Sequence, residues 1–331
     1  MTDHDDQNVR DDKTADVNKT ANVDQNVRDD KTAHDQQAPS GDYIVSALAL
    51  HGQVRAFACR TTVICNEALH IHNLSPMAAV ALGRLLTGVL LLTAQGLKND
   101  NDTITAIVRG DGPLQGMTVV GTGAQTVRGY CYQPVIETIN KKPGKLDIGQ
   151  AVGQGTLMVL KDLGLKEPYM GKVELISGEI AEDLTYYLAS SEQTPSAVGL
   201  GVLIDANGVS HAGGFLVQLM PDATDDVIDY LEQRVGGFPE VTFLMQEGFT
   251  PDQILDLLLG DPDIQYYEQK PAAYVCTCSR ERMEKNLITL GRTELADLAK
   301  DPKGINLECH FCEKHYAFSQ PEILSLLGEI N

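Results

Sequence analysis

The chain has 331 residues, 46 acidic and 26 basic, for a formal net charge of −20. That balance argues against a nucleic-acid partner or an anionic membrane surface, since both are bound by placing Lys and Arg on phosphates. The length exceeds one ordinary compact core and implies two or three units, and with no Trp and 5% aromatic residues the cores must be aliphatic.

Residues 1–40 carry a duplicated decamer, DQNVRDDKTA, at 6–15 and 24–33, and contain no Leu, Ile, Phe, Tyr or Trp. Such a segment cannot bury enough apolar surface to offset its chain entropy, so a disordered acidic tail is expected. No apolar signal core is visible near Met1, and a cytoplasmic chain with reduced thiols is expected. From Tyr43 the pattern turns β-rich. YIVSALALHGQVRAFACR reads as two strands around Gly52, and 103–132 reads as three more, with turns at RGDGP and GTGAQ. Between them MAAVALGRLLTGVLLLTAQGL (77–97) is near membrane-spanning length. Arg84 inside it favours a buried central helix instead, entered at Ser75 and Pro76. Strands follow at about 156–161, 171–177, 197–205 and 209–219, with Asn207-Gly208 as a hairpin turn. A helix at 178–193 carries Ile180, Leu184, Tyr187 and Leu188 on one side. Residues 41–221 thus read as an α/β (α+β) core.

The composition then shifts. Residues 222–268 hold twelve acidic residues and one base, Arg234. DDVIDYLEQRV and PDQILDLLLGD are amphipathic helix patterns, the second starting at Thr250-Pro251. Short helices with clustered like charge are marginal in water and are expected to be helical only while docked. Their release would expose the apolar stripe Ile254, Leu255, Leu257, Leu258 and Leu259. This acidic helical linker region is expected to run over 222–275.

The last unit, 276–331, is 56 residues long and holds four of the seven cysteines, Cys276, Cys278, Cys309 and Cys312. A unit this small needs a staple. Two pairs of soft ligands suit a tetrahedral zinc ion, one per chain. His310 and His315 lie near but read as surface residues; His70 and His72 are a weak pair. Around the cysteines, Ser279 caps a helix with Met283, Leu287 and Leu290. A short helix with Leu295 and Leu298 follows, then two strands meeting at the second pair. A final helix, boxed by Ser319 and Glu322, carries Ile323, Leu324 and Leu327. A Cys-X-Cys disulfide closes a small strained ring, and strained disulfides are labile and regulatory. Basic neighbours Arg280, Arg282 and Lys285 would favour thiolate there. The site could thus hold zinc when reduced and eject it on oxidation. Cys59, Cys65 and Cys131 read as buried, inert thiols. No nucleotide fingerprint, nucleophile elbow or metalloprotease motif is complete, so no catalytic residues are assigned and the chain is not read as an enzyme.

The segments SPMAAVALGRLLTGVLLL, GDGPLQGMTVV, VRGYCYQP, AGGFLVQLMP and CTCSRERMEKNLITLG with ECHFCEKHYAF make the chain, over about 43–331, similar to the heat-shock protein 33 family. The resemblance implies a cytoplasmic, ATP-independent holdase for unfolded or oxidatively damaged clients. It also implies an N-terminal α/β domain, a helical linker and a zinc domain. In that family the reduced, largely inactive form holds zinc through four cysteines. Oxidation forms one disulfide within each pair, Cys276–Cys278 and Cys309–Cys312 here. It also releases zinc, unfolds the switch domain and linker, and promotes homodimers. The duplicated tail departs from the family pattern. Two other readings remain: a thiol–disulfide oxidoreductase using CHFC, and a zinc-ribbon nucleic-acid binder.

Overall fold

β1 (Tyr43–Ala49) and β2 (Val54–Arg60) form the expected hairpin and are followed by α1 (Thr62–Ile71) and α2 (Pro76–Gly96). The computed structural model describes residues 41–142, 144–267 and 269–329, so the duplicated tail lies outside the described residues. Next come β3 (Thr103–Gly110), β4 (Gly116–Thr122), β5 (Thr126–Cys131), β6 (Asn140–Lys142), β7 (Lys145–Leu146) and α3 (Ile148–Val152). After these stand β8 (Gly155–Asp162), β9 (Tyr169–Glu174), α4 (Ala181–Ser190), β10 (Ser196–Asp205) and β11 (Gly208–Leu219). The acidic region contains α5 (Asp225–Gly236), α6 (Val241–Gln246), α7 (Pro251–Leu259), β12 (Gln265–Tyr266), β13 (Lys270–Pro271) and β14 (Ala273–Tyr274). The chain ends in α8 (Arg280–Thr289), α9 (Arg292–Leu298), β15 (Ile305–Glu308), β16 (His315–Phe318) and α10 (Gln320–Glu329).

Two sheets make the body. One runs β10-β11-β2-β1, with β12 and β13 both pairing to β1; the other runs β14-β5-β4-β3-β8-β9. The apolar run at 77–97 is the long α2, which packs against strands of both sheets and buries Met77, Leu82, Leu85, Leu86 and Val89 to Leu92. It is long and apolar enough to cross a membrane, but 89% of its most apolar window is buried inside this fold. Arg84 is accommodated by Glu179, whose carboxylate lies 2.6 Å from its guanidinium. β4 approaches α2 so closely that a Cβ on Gly121 would sit 2.6 Å from the Thr93 methyl and 2.8 Å from a Val89 methyl.

Ser75 does precede α2, but its hydroxyl accepts from Ile136 N (3.1 Å) rather than capping the helix. α1 was not expected, because Thr61 caps nothing with its side chain. The cap comes from Asp42, whose buried carboxylate accepts from Val63 N (3.1 Å) and Ile64 N (2.7 Å).

The acidic region is docked. α7 packs on β1, β2 and β11 and buries Ile254, Leu255, Leu258 and Leu259, while Leu257 is half-buried. Its acids act as acceptors: Tyr266 Oη donates to Asp256 Oδ1 (2.7 Å), and Leu50 N–H to Asp261 Oδ2 (2.6 Å). The region is more than helical. β12 and β13 pair antiparallel with β1, and β14 pairs parallel with β5, so one short stretch edges both sheets. In the last unit α10 buries Ile323 and Leu326, whereas the expected Leu324 is 53% exposed.

Asp42→Ala leaves the first turn of α1 without its buried acceptor. Equilibrium urea unfolding should show a loss of about 1–3 kcal/mol, and an unchanged midpoint would refute this capping role.

Candidate metal centre

The four cysteines converge because two local devices face each other. Cys276 and Cys278 stand between β14 and α8, whose start is fixed by Ser279 Oγ accepting from Arg282 N (3.2 Å). Cys309 and Cys312 occupy the corner between β15 and β16. There Cys309 N–H donates to Lys314 O (3.0 Å), and Cys312 and Glu313 N–H both reach Cys309 O (3.2 and 2.7 Å). Glu313 takes a positive φ of 56°, which turns the chain back sharply. A small core made by Leu287, Leu295, Tyr316, Phe318, Ile323 and Leu326 supports this unit.

All four Sγ atoms lie within 4.8 Å of one another. Cys276 and Cys309 sulfurs are 3.6 Å apart, and Cys278 and Cys312 sulfurs 3.3 Å apart. Four thiolates at 2.3 Å from a tetrahedral zinc would be about 3.8 Å apart, so the donor set and its spacing fit such an ion. With all four sulfurs within 4.8 Å of one another, proximity by itself favours no disulfide pattern.

The thiols are not equivalent. Burial and hydrogen bonds to the other thiols push Cys276 up, and burial likewise raises Cys312. Burial opposes ionisation at Cys278 as well. Hydrogen bonds from the Tyr316 hydroxyl (3.1 Å) and the neighbouring thiols outweigh it and bring that thiol down to about 7. Two of the expected basic neighbours are otherwise engaged. Arg280 pairs with Glu322 (2.6 Å) and lies over the Phe318 ring, while Arg282 donates to Thr277.

The histidines stand outside the cluster. His315 Nδ1 lies 3.8 Å from Glu308, His310 stacks near Tyr130, and His70 faces Asn66 O. His72 is buried and bridges Glu313 (3.2 Å) and Tyr274 Oη (3.3 Å). Cys59, Cys65 and Cys131 are all buried, and burial pushes the Cys65 thiol up to about 12.

Residues that the sequence did not mark tie the cluster to the body. Tyr274 Oη donates to Phe311 O (2.6 Å), between the second pair of cysteines, and also receives the Gly129 N–H of β5 (3.3 Å). Phe311 meets Tyr130 edge-on at 5.2 Å and sits under the Arg128 guanidinium at 5.1 Å. Tyr274 and Tyr316 gave no signal because each sits in an ordinary strand pattern.

A two-sheet α/β body with a small four-thiol unit clasped to it is a specific class of architecture. The family profile described as Hsp33 protein matches residues 42–319. A 33 kDa chaperonin from Ruminiclostridium cellulolyticum is 48% identical over 87% of this chain and 99% of its own length. That of Acetivibrio thermocellus is 46% identical over 86% and 97%. The crystal structure of the 33 kDa chaperonin from Thermotoga maritima superposes with a TM-score of 0.78 at 36% identity, covering 88% of this chain and 99% of that one. The chain belongs to the Hsp33 family of chaperones.

Proposed function

We propose that the protein is a redox-switched, ATP-independent holdase that keeps unfolded or oxidatively damaged proteins from aggregating. In this reading Cys276, Cys278, Cys309 and Cys312 hold one zinc ion in the reduced chain. The ion would crosslink the two ends of the last unit and supply no other chemistry. Residues 41–221 form the core, 222–275 the docked linker and 276–331 the switch.

The observation that carries the reading is the link between the thiols and the body through 265–275. Those residues pair with both sheets and end at Cys276. Each disulfide forms when two thiolates pass two electrons to an oxidant such as peroxide, which leaves as water. Pairing within each set, Cys276–Cys278 and Cys309–Cys312, would remove the crosslink between the two ends. The unit's small core would then have to hold alone, and a single core of this size supplies only a few kcal/mol. Loss of that anchor would weaken the docking of β14 and of the acidic helices before it, and would favour homodimers. No nucleic-acid or membrane partner and no enzymatic step belong to this reading, and a cytoplasmic setting suits reduced thiols.

The oxidoreductase alternative is less well supported. Such enzymes place Cys-X-X-Cys at a helix N-terminus, where the dipole favours thiolate, whereas Cys309 and Cys312 stand in a strand corner.

Reduced protein should carry one zinc per chain and suppress client aggregation weakly. Peroxide with mild heat should release the metal and raise suppression about tenfold or more. Equal suppression in both states would overturn the switch. Peptide mapping of the oxidised chain should find links within each pair, and crosslinks between pairs would refute the pairing. Chelation under reducing conditions should loosen 276–329, read as faster amide exchange, while the core strands stay protected.

A further inference from the structure

The last unit does not merely lie against the body; it fills a seat there. β5 alternates buried Val127 and Cys131 with the outward residues Arg128 and Tyr130. Phe311 occupies that outer face, edge-on to Tyr130 with an interplanar angle of 81° and beneath the Arg128 guanidinium. Beside this seat, 273–275 covers the strand's free edge. Gln125 O accepts from Ala273 N (3.3 Å) and Val127 O from Val275 N (3.0 Å), while Gly129 N–H meets Tyr274 Oη. A segment laid along a strand edge with a ring in a neighbouring seat is how an extended peptide is recognised by strand addition. Here the chain's own residues supply both parts.

We propose that the outer face and free edge of β5 form a binding site for unfolded polypeptide that prefers an extended segment carrying an aromatic residue. Phe311 and 273–275 are its resident occupants in the reduced protein. The inference rests on the switch proposed above, because the site is vacated only when the C-terminal unit loosens. β5 itself stays in place: its other edge is paired to β4 from Met117↔Cys131 to Gly121↔Val127, and its inward side chains are in the main core. Departure of 273–275 therefore leaves carbonyls and an N–H of a fixed strand without partners, which is a template for another strand. An aromatic ring is favoured over an aliphatic one because both contacts Phe311 makes, edge-to-face and beneath a cation, need a π-face. Backbone groups spaced along a strand edge match a polypeptide and not a lipid or a nucleic acid.

The test uses full-length protein and fluorescein-labelled ten-residue Ser/Thr/Gly peptides with a single central Phe, the same with Ala, and the Phe peptide N-methylated on both sides of the ring. Oxidised wild type should bind the Phe peptide about tenfold more tightly than the Ala peptide and lose affinity for the N-methylated one. Tyr130→Ala and Arg128→Gln should each remove most of that preference, and Tyr130→Phe should retain it. Oxidised wild type that binds the Phe peptide no better than reduced wild type overturns this site where oxidation still raises suppression of aggregation, and removes the switch itself where it does not. Oxidised wild type that binds better than the reduced form but treats the Phe and Ala peptides alike overturns only this site, whatever the variants do. Undiminished preference in folded Tyr130→Ala and Arg128→Gln overturns it too.

Discussion

Four sulfur atoms within 4.8 Å of one another demand that three distant pieces of chain be in place together. Residues 276–278 must leave β14 in the right direction. The corner between β15 and β16 must present its pair towards them. The thirty residues between, 279–308, must fold back so that α8 and α9 close the small core beneath. Val275, hydrogen-bonded to β5, is followed directly by Cys276, so one continuous stretch positions both the strand edge and the cluster.

The acidic region answers a related problem. Twelve carboxylates in 222–268 would repel one another in an isolated segment. Docking gives several of them donors instead: the Tyr266 hydroxyl for Asp256, the Leu50 amide for Asp261 and the Tyr43 hydroxyl for Asp252 (3.4 Å). The apolar stripe of α7 contributes burial on the other side. The docked state is thus favoured by contacts with β1 and β2 rather than by helix propensity, and undoing β12 also takes away the Tyr266 donor of Asp256.

Local signals in the sequence were reliable guides. The Asn207-Gly208 turn, the alternation in β1 to β5, the Ser279 cap and the cysteine spacing all act over a few residues, and each stands where it was expected. What stayed hidden depends on remote partners. α1 takes its cap from Asp42, some twenty residues earlier, so no local cap marks it. β12, β13 and β14 are two residues long and exist only because β1 and β5 offer edges. The phase of α10 is set by its seat on the last core, which selects Leu326 over Leu324. The convergence of the four cysteines was legible; Tyr316 and Tyr274, which tune and tether them, were not.

The late position of the edge strands has a further consequence. Synthesis runs from the N-terminus, and domains fold as they emerge from the ribosome. β1, β2 and β5 are therefore complete long before Gln265 to Tyr274 are made, since Ala47 waits for Tyr266 and Thr126 for Ala273. Each nascent chain passes through an unclasped form before its clasp exists, and the ribosome delivers the closing residues well after the strands they close.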